Sequence, residues 1–330
     1  MPSPESPAGR PPPPSGKRVS IVVPIFNEET NLPELRARLS KVFSAQPGME
    51  FEVVLVDDHS LDGTPLFCRG WAAEDPRVRY VRFSRNFGSH AALMAGLERA
   101  SGDSAVLMAA DLQDPPEDLP RLIGAWEEGA QVVWAVRAAR EGESMGTTLS
   151  ARVYYLVMRR IAGLQLPPEG ADFVLVDRTV REALLTFRER SNSLFAILCW
   201  SGFRQAAVSY SKKARAGGKS GWTFRKKVRL FMDSVIGFTP WPMRLLGVLG
   251  GLCAGAGFLY SVVLVYLRIR GEIEVQGWTA LMVVSLLGFG TMMVMTGVLG
   301  EYLWRTLEEV RARPRYLVEE EVCTSTSRSR

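Results

Sequence analysis

The sequence is poor in the side chains that most often hold zinc. It contains two histidines, His59 and His90, and four cysteines. No two of the cysteines form a CxxC pair, and they are scattered as Cys68, Cys199, Cys253 and Cys323. This pattern argues against a structural zinc site and against a disulfide framework.

Two further features are missing near the start of the chain. Residues 1–17 are rich in Pro, Ser and Gly and contain no apolar run, so they predict a disordered tail and no signal peptide. No GxGxxG follows the first predicted strand, so the usual dinucleotide-binding loop is absent. We therefore expect the catalytic part to stay in the cytoplasm and any bound diphosphate to be neutralised in another way.

Acidic residues are slightly outnumbered by basic ones. The chain has 40 Lys and Arg against 35 Asp and Glu, a net charge of +5 over 330 residues. The excess clusters near two long uncharged runs, which favours an anionic membrane surface as the partner and argues against nucleic acid.

Short β-branched stretches alternate with helical ones through the first two thirds of the chain. Helices are predicted at 32–42, with Asn31 as the N-cap, at 90–100, after Pro116 and at 148–161. Strands are predicted at 19–24, 51–56, 78–83, 105–108, 131–136, 172–176 and, at a sheet edge, 205–211. This alternation predicts an α/β fold with a mostly parallel sheet.

The fourth predicted strand runs into the sequence Asp111-Leu112-Gln113-Asp114. Asp111 and Gln113 would then lie at the carboxyl end of a strand, the edge where open α/β sheets bind ligands. Carboxylate and amide oxygens suit Mg²⁺ or Mn²⁺ held jointly with substrate phosphates. A solvated turn is the alternative, and the role of Asp114 is left open.

The second predicted strand ends in adjacent carboxylates. Asp57, Asp58 and Asp62 could cap the following helix, but two neighbouring carboxylates repel each other, which favours a ligand role for Asp58. For Asp57 a structural role is an equal alternative. His59 is interpreted as a turn residue.

Two runs, 245–267 and 278–300, carry no charged residue. Each reaches the roughly 20 residues needed to cross a bilayer, although buried core helices are an alternative. The segments before the first run and after the second are basic, which predicts that both lie in the cytoplasm. The basic and aromatic residues that precede them predict an amphipathic interfacial helix at 222–240.

Several motifs, in this order and spacing, resemble family-2 glycosyltransferases of the polyprenyl-phosphate branch, which includes dolichyl-phosphate mannose synthases and bactoprenol glucosyltransferases. They are VVPIFNEE at 22–29, VDDHSLDGT at 56–64, RNFG at 85–88, ADLQDPP at 110–116, RAGGKS at 215–220 and GEYL at 300–303. The resemblance covers residues 19–316. It implies a GT-A nucleotide-sugar domain, Rossmann-like in its sheet, and an inverting, metal-dependent transfer.

The resemblance also implies roles for single residues. The nucleoside would be lined by Pro24, Phe26 and Glu28, with Asp58 on the base. Asp111 and Gln113 would hold Mg²⁺ or Mn²⁺. The phosphates would meet Arg137, Arg140, Arg215 and Ser220. The alternative interpretation of Arg137 and Arg140 is that they are solvated charges of a loop. Ala109 departs from the pattern of the mannose synthases, which have an acidic residue there, and His59 stands where a small residue is usual.

The resulting expectation is transfer of a sugar from a UDP-glucose-like or GDP-mannose-like donor to a polyprenyl phosphate such as undecaprenyl phosphate. The alternatives are a processive polysaccharide synthase and a catalytically impaired sugar-nucleotide-binding membrane adaptor. The predicted organisation is a tail at 1–17, the GT-A domain at 18–221, the interfacial helix at 222–240, a two-helix transmembrane hairpin at 241–304 and a cytoplasmic tail at 305–330. The expected location is the cell membrane, with a homo-oligomer as a possibility.

Overall fold

The computed structural model describes residues 17–137, 173–187, 194–210, 241–271 and 277–323. The strands are β1 Arg18–Ile25, β2 Glu50–Asp57, β3 Val78–Phe83, β4 Ser104–Leu107, β5 Val132–Arg137, β6 Val174–Asp177, β7 Gln205–Tyr210 and β8 Val318–Cys323. The helices are α1 Leu32–Ser44, α2 Thr64–Glu74, α3 Ser89–Arg99, a 3₁₀ turn Pro116–Asp118, α4 Leu119–Glu127, α5 Arg178–Thr186, α6 Leu194–Trp200, α7 Trp241–Ile269 and α8 Trp278–Arg311.

The strands form one sheet in the order β7-β5-β6-β4-β1-β2-β3-β8. β4, β1, β2 and β3 are parallel neighbours. β6 is antiparallel to both β4 and β5, and β5 is parallel to β7, so β5 and β7 point the same way as the central block. Only β6 and β8 run against it among the described strands. The predicted α/β fold with a mostly parallel sheet is confirmed.

Helices cover both faces of this sheet. Residues of α1, α2 and α4 pack with Ile21 and Val23 of β1 on one face. Residues of α3, α5 and α6 pack with Val22 on the other. Since successive strand residues point to opposite faces, a strand covered on both sides must be apolar at every position. This is why the run from Ile21 to Val23 is continuously hydrophobic.

A close approach sets the position of α3 on the sheet. A Cβ atom added at Gly96 would lie 2.2 Å from Cγ1 of Val22. A glycine is therefore required where α3 crosses β1, and this contact places the first turn of α3 at the carboxyl edge of the strands.

The last strand lies beyond the predicted GT-A domain but joins its sheet. Val318–Cys323 lies within the segment predicted as a tail at 305–330, yet it pairs antiparallel with β3. Three of its glutamates meet arginines: Glu319 pairs with Arg82, and Glu320 and Glu321 pair with the arginines Arg69 and Arg99. The acidic sequence does not predict a strand. In the structure, ion pairs at the edge of the sheet satisfy its glutamates.

The start of α1 differs from prediction in one detail. Asn31 occupies the N-cap position but makes no side-chain capping hydrogen bond. Its Nδ2 donates instead to Glu28 Oε2 at 2.6 Å. The asparagine therefore holds the β1–α1 loop, and Pro33 in the first turn starts the helix.

Two long helices, α7 and α8, follow the α/β part at the positions predicted for membrane spans. Within the described residues, neither contains a stretch that meets the length and hydropathy of a bilayer-crossing segment. The prediction of two transmembrane helices is therefore not confirmed. The predicted N-terminal tail up to residue 16, the helix at 148–161, the interfacial helix up to residue 240, and Arg140, Arg215 and Ser220 lie outside the described residues.

Candidate active site

The candidate site lies at the carboxyl edge of β4, β1, β2 and β3. The chain passes from β1 to β2 on one side, while β4 flanks β1 on the other. This reversal is a topological switch point, where a crevice opens between the two loops that follow the strands. The loops that border it are 26–31 after β1 and 108–115 after β4, with 58–63 and 84–88 beside them.

The loops after β1 and β2 are joined by side-chain-to-backbone hydrogen bonds. The amide of Asn27 donates to Ser60 Oγ at 2.9 Å, and its side-chain oxygen accepts from the amide of Leu61 at 2.8 Å. The amide of Glu28 donates to Thr64 Oγ1 at 3.0 Å. Asn27 has φ 56°, a left-handed conformation that asparagine tolerates better than most residues. Three hydrogen bonds therefore hold the two loops together.

Gly63 completes this junction. Its amide donates to Glu29 Oε2 at 2.9 Å, and a Cβ atom at Gly63 would lie 2.3 Å from Glu29 Oε1. Asp62 accepts from the amides of Thr64 at 3.1 Å and Glu29 at 3.3 Å. Burial alone would raise the pKa of Asp62, but these hydrogen bonds outweigh it and the pKa lies below its usual value. Asp62 is thus a loop-fixing carboxylate.

Asp57 has a structural role, which settles the alternative that the sequence left open. It is fully buried, and it accepts from the amide of Ser60 at 2.7 Å, Tyr80 Oη at 2.9 Å and Arg82 Nη1 at 2.8 Å. Arg82 also donates to Glu319 Oε2 at 3.1 Å. The carboxylate therefore anchors the end of β2 to β3 and, through Arg82, to β8.

Asp58 holds the loop after β3. Its two oxygens accept from the amides of Phe87 at 2.6 Å and Gly88 at 2.8 Å. Gly88 has φ 96°, a conformation available to glycine. Burial raises the pKa of Asp58, and the two amide hydrogen bonds offset only part of that effect. The sequence did not reveal this positioning role. Each carboxylate oxygen keeps a second lone pair that can accept a hydrogen bond from a base. The predicted contact of Asp58 with a base stays a prediction.

His59 conforms to the turn interpretation. Its φ is 64°, and its Nδ1 lies 3.1 Å from the carbonyl oxygen of Phe83. The imidazole is therefore directed toward the end of β3 and ties the turn to that strand.

The predicted nucleoside-lining residues come together at the end of β1. Pro24 lies in the strand opposite Val56, and Phe26 follows it with 44% of its surface exposed. Glu28 is partly buried and accepts from Asn31. An exposed aromatic ring beside a fixed loop presents a flat apolar surface at the mouth of the crevice.

Asp111 and Gln113 lie across the crevice from this loop, after β4. Asp111 is 9% exposed, and its Oδ1 accepts from the amide of Gln113 at 3.2 Å. Leu112 between them has φ 61°, which turns the chain sharply so that both oxygen-bearing side chains belong to one turn. Among the described residues no group of three or more His, Cys, Asp or Glu side chains is placed to hold a metal ion.

Asp114 connects the same turn to the far side of the sheet. It is fully buried, and its Oδ1 accepts from Tyr210 Oη at 2.8 Å. Tyr210 ends β7 opposite Arg137, the last residue of β5. The contact brings the end of β5 to the same edge as Asp111, and Asp114 acts as a structural support of the turn. No motif pointed to Tyr210, since a tyrosine at a strand end has no distinctive pattern.

Comparison with known proteins identifies the family of the chain. The profile described as Glycosyl transferase family 2 matches residues 20–209. The undecaprenyl-phosphate 4-deoxy-4-formamido-L-arabinose transferase of Pseudomonas aeruginosa (strain PAO1) is 36% identical over 314 residues, which cover 94% of this chain and 91% of that protein. The prophage bactoprenol glucosyl transferase homolog of Escherichia coli K12 is 32% identical, covering 92% and 98%. The uncharacterized glycosyltransferase YkcC of Bacillus subtilis (strain 168) is 36% identical, covering 91% and 93%.

Proposed function

The chain belongs to glycosyltransferase family 2, and on that premise we propose that it transfers a sugar from a nucleotide diphosphate to a polyprenyl phosphate, giving a lipid-linked sugar monophosphate. The observation that carries the proposal is the extent of the similarity. Relatives named for transfer to undecaprenyl phosphate and to bactoprenol align over 94% and 92% of this chain, so the likeness includes the long helices as well as the α/β part.

The donor nucleoside is proposed to bind between the ends of β1 and β2. Phe26 supplies an exposed ring on which a base can stack, and stacking of this kind is worth about 1–3 kcal/mol. Glu28 and Pro24 border the same loop. Asp58 both orders the loop after β3 and has a remaining lone pair for a base or ribose donor.

A divalent cation fits the turn after β4. Asp111 and Gln113 offer two hard oxygen ligands, and Mg²⁺ and Mn²⁺ prefer such ligands together with phosphate oxygens and water. Two protein ligands suffice when a diphosphate supplies others, so Ala109, which has no ligand atom, does not exclude the ion. When bound, the cation would stabilise the negative charge of the departing nucleoside diphosphate.

The chain's own residues have the task of bringing two anions together. The second pKa of a phosphate monoester is about 6, so the acceptor is ionised at neutral pH and needs no general base. Its oxygen attacks the anomeric carbon as the carbon–oxygen bond to the diphosphate breaks and the electron pair leaves with the diphosphate, which inverts the configuration. Arg137 at the end of β5 is proposed to bind a phosphate in this step, together with Arg140, Arg215 and Ser220.

The proposed location is the cell membrane, with the site on the cytoplasmic side. The support is the absence of charge from residues 245–267 and 278–300, the basic flanks, and the exposed apolar side chains of α7 and α8, such as Phe258 at 69% and Phe289 at 62%.

Cysteine labels at position 276 should react from outside intact cells, and labels at positions 220 and 325 should not. The reverse pattern would contradict this topology. A homo-oligomer is compatible with the proposal.

A direct assay tests the function. Purified protein is offered a panel of nucleotide sugars, with UDP-glucose and GDP-mannose among them, together with undecaprenyl phosphate and Mg²⁺ or Mn²⁺. One donor should give a labelled lipid, and EDTA should abolish the product. Long polymer would instead indicate a processive synthase, and donor binding without any product would indicate a sugar-nucleotide-binding adaptor.

Arg137→Ala separates the two phosphate sites. Loss of a charge-assisted hydrogen bond of about 1.5–3 kcal/mol should lower kcat/KM for the lipid roughly 10- to 150-fold. Arg137→Lys should restore only part of the activity, because an ammonium cannot reproduce the guanidinium fork. Weaker donor binding in calorimetry, with unchanged lipid dependence, would assign Arg137 to the donor diphosphate.

A further inference from the structure

A cavity of about 310 Å³ lies on the α3 side of the sheet, away from the Asp111–Gln113 turn. It is bordered by the loop after β3 and the first turns of α3, by the end of α5, by α6, and by residues 313–315, which connect α8 to β8. Arg85 and Phe87 belong to the loop 84–88, which Asp58 holds beside the candidate active site, and the described lining residues include none from the loops after β1, β2 or β4. The cavity therefore adjoins the candidate active site across this loop and is lined by other side chains.

The polar part of the cavity is cationic. Arg85, Arg313 and Arg315 line it, and no acidic residue is among the lining residues that the structure describes. The guanidinium of Arg85 lies 4.6 Å from the ring centroid of Phe87, and Arg315 donates to the carbonyl of Phe187. The positive end of the 11-residue helix α3 adds to this potential. The arrangement attracts an anion.

His90 lies at the wall of the cavity. Its Nδ1 is shielded from solvent and has no hydrogen-bond partner within the described part of the chain. The ring packs edge-on against Phe195, with centroids 5.7 Å apart. Burial lowers the pKa of His90, so the ring is neutral at pH 7 and one ring nitrogen carries a proton. The neutral ring therefore forms part of the wall, and the charge of the cavity comes from its arginines.

The remaining wall is apolar. Met94, Leu184, Leu194 and Ile197 face the same space. A hydrated anion such as free phosphate gains nothing from contact with an aliphatic wall, because it has no apolar surface to bury. The volume falls at the lower end of the roughly 300–1,000 Å³ range of small-molecule pockets. The ligand that matches both halves carries a phosphate on an apolar chain.

The connection to α8 points in the same direction. Arg313 and Arg315 follow directly after α8, whose last turns expose Trp304, Leu307 and Val310. The cavity therefore lies beside the junction between the α/β part and the helix that we propose to contact the membrane. A lipid headgroup at the bilayer surface would reach this position.

We propose that this cavity binds the phosphate of a lipid phosphate ester, with Arg85 and Arg313 on the phosphate and the first carbons of the lipid against Met94 and Leu184. The inference rests on the proposed function for the presence of such a lipid. It does not depend on which sugar is transferred.

Binding by the full-length protein in detergent, without donor or metal ion, tests the proposal. The probes are farnesyl phosphate, inorganic phosphate, and vesicles of phosphatidylcholine with or without phosphatidylglycerol. Arg313→Gln and Arg85→Gln should each weaken farnesyl phosphate binding roughly 10- to 150-fold, the effect of one charge-assisted hydrogen bond. Arg36→Gln is the matched control, because it removes the same charge from a partly exposed position of α1, on the other face of the sheet.

The probes also identify the source of the phosphate. Loss of farnesyl phosphate binding alone indicates the acceptor class, and loss of binding to phosphatidylglycerol vesicles alone indicates a membrane phospholipid; either result supports the site. Equal affinity for inorganic phosphate and farnesyl phosphate, or equal behaviour of Arg313→Gln and Arg36→Gln, would overturn it. If the transfer assay gives no product while the arginine variants still lose binding, the proposed function fails and the lipid phosphate site stands.

Discussion

The carboxylates after β2 and those after β4 resemble each other in sequence but differ in what they contact. Asp57, Asp58 and Asp62 accept hydrogen bonds from backbone amides and buried side chains of neighbouring loops. Asp111 accepts from the amide of Gln113, two residues along its own turn. The first group includes carboxylates that connect loops distant in sequence, whereas the hydrogen bond from Gln113 lies within the turn that Asp111 itself occupies.

The difference shows how the site is divided between support and chemistry. A side chain that holds several loops must keep its charge and position, so its loss should unfold the edge of the sheet. A carboxylate that accepts from an amide of its own turn keeps that hydrogen bond when an isosteric amide replaces it, so its loss should affect turnover more than stability. Stability and activity measurements can therefore separate the two groups.

The largest expected effect is on stability, from Asp57→Asn. The variant breaks a buried ion pair with Arg82 and weakens the hydrogen bond from Tyr80. Removing one partner of a buried pair costs about 3–5 kcal/mol in the free energy of unfolding. Urea denaturation measures this loss. Glu74→Gln is the control, because it removes an exposed pair with Arg36 and should cost less than about 1 kcal/mol. Equal losses in the two variants would contradict the structural role of Asp57.

Asp111→Asn should have the next largest effect, and mainly on turnover. The amide oxygen can still accept from Gln113, so the turn should be preserved. Loss of the charge should lower kcat by a factor on the order of 10² or more. Asp118→Asn, at a carboxylate paired with Arg121 in the neighbouring 3₁₀ turn, is the control and should leave kcat unchanged. Full activity of Asp111→Asn, or of the wild type in EDTA, would exclude the proposed metal ligand.

Gly63→Ala tests the contact between Gly63 and Glu29, which joins the loops after β1 and β2. The new methyl group would displace the carboxylate of Glu29 and remove its hydrogen bond to the amide of residue 63. Because Glu29 is flexible, the cost should be that of the hydrogen bond, about 0.5–1.5 kcal/mol. In a Glu29→Ala background the same substitution should be nearly neutral in thermal unfolding. An undiminished cost there would locate the strain in the backbone instead.

The smallest effect concerns the ion pair between α2 and β8. Glu320 pairs with Arg69 at 2.7 Å, and both are partly exposed, so Glu320→Gln should cost about 0.2–1 kcal/mol. The Arg69 guanidinium holds the pKa of Glu320 below its usual 4.5. The stabilisation is therefore present above pH 4.5 and is lost as the pH falls through the lowered value. The difference between wild type and variant should vanish in acid, and a difference that persists there would exclude the ion pair as its cause.

Local sequence determined the strands, the helices and the identity of the turn residues. The apolar runs at β1, β2 and β4 can be buried only in a covered sheet, so their alternation with amphipathic helices was enough to predict the α/β fold. The same pattern located Asp111 and Gln113 at a strand end. The acidic Val318–Cys323 was missed as a strand because its partners, such as Arg82, are more than 200 residues away.

The chain alone therefore predicts the class of fold, the family motifs and the set of carboxylates at one edge of the sheet. Which carboxylate supports the loops and which is available to a ligand depends on contacts made in the folded protein. Asp57 is structural because Tyr80 and Arg82 of β3 donate to it, and Asp114 is structural because Tyr210 of β7 donates to it. The role of a carboxylate depends on the donors and charges around it, and here these come from distant parts of the chain.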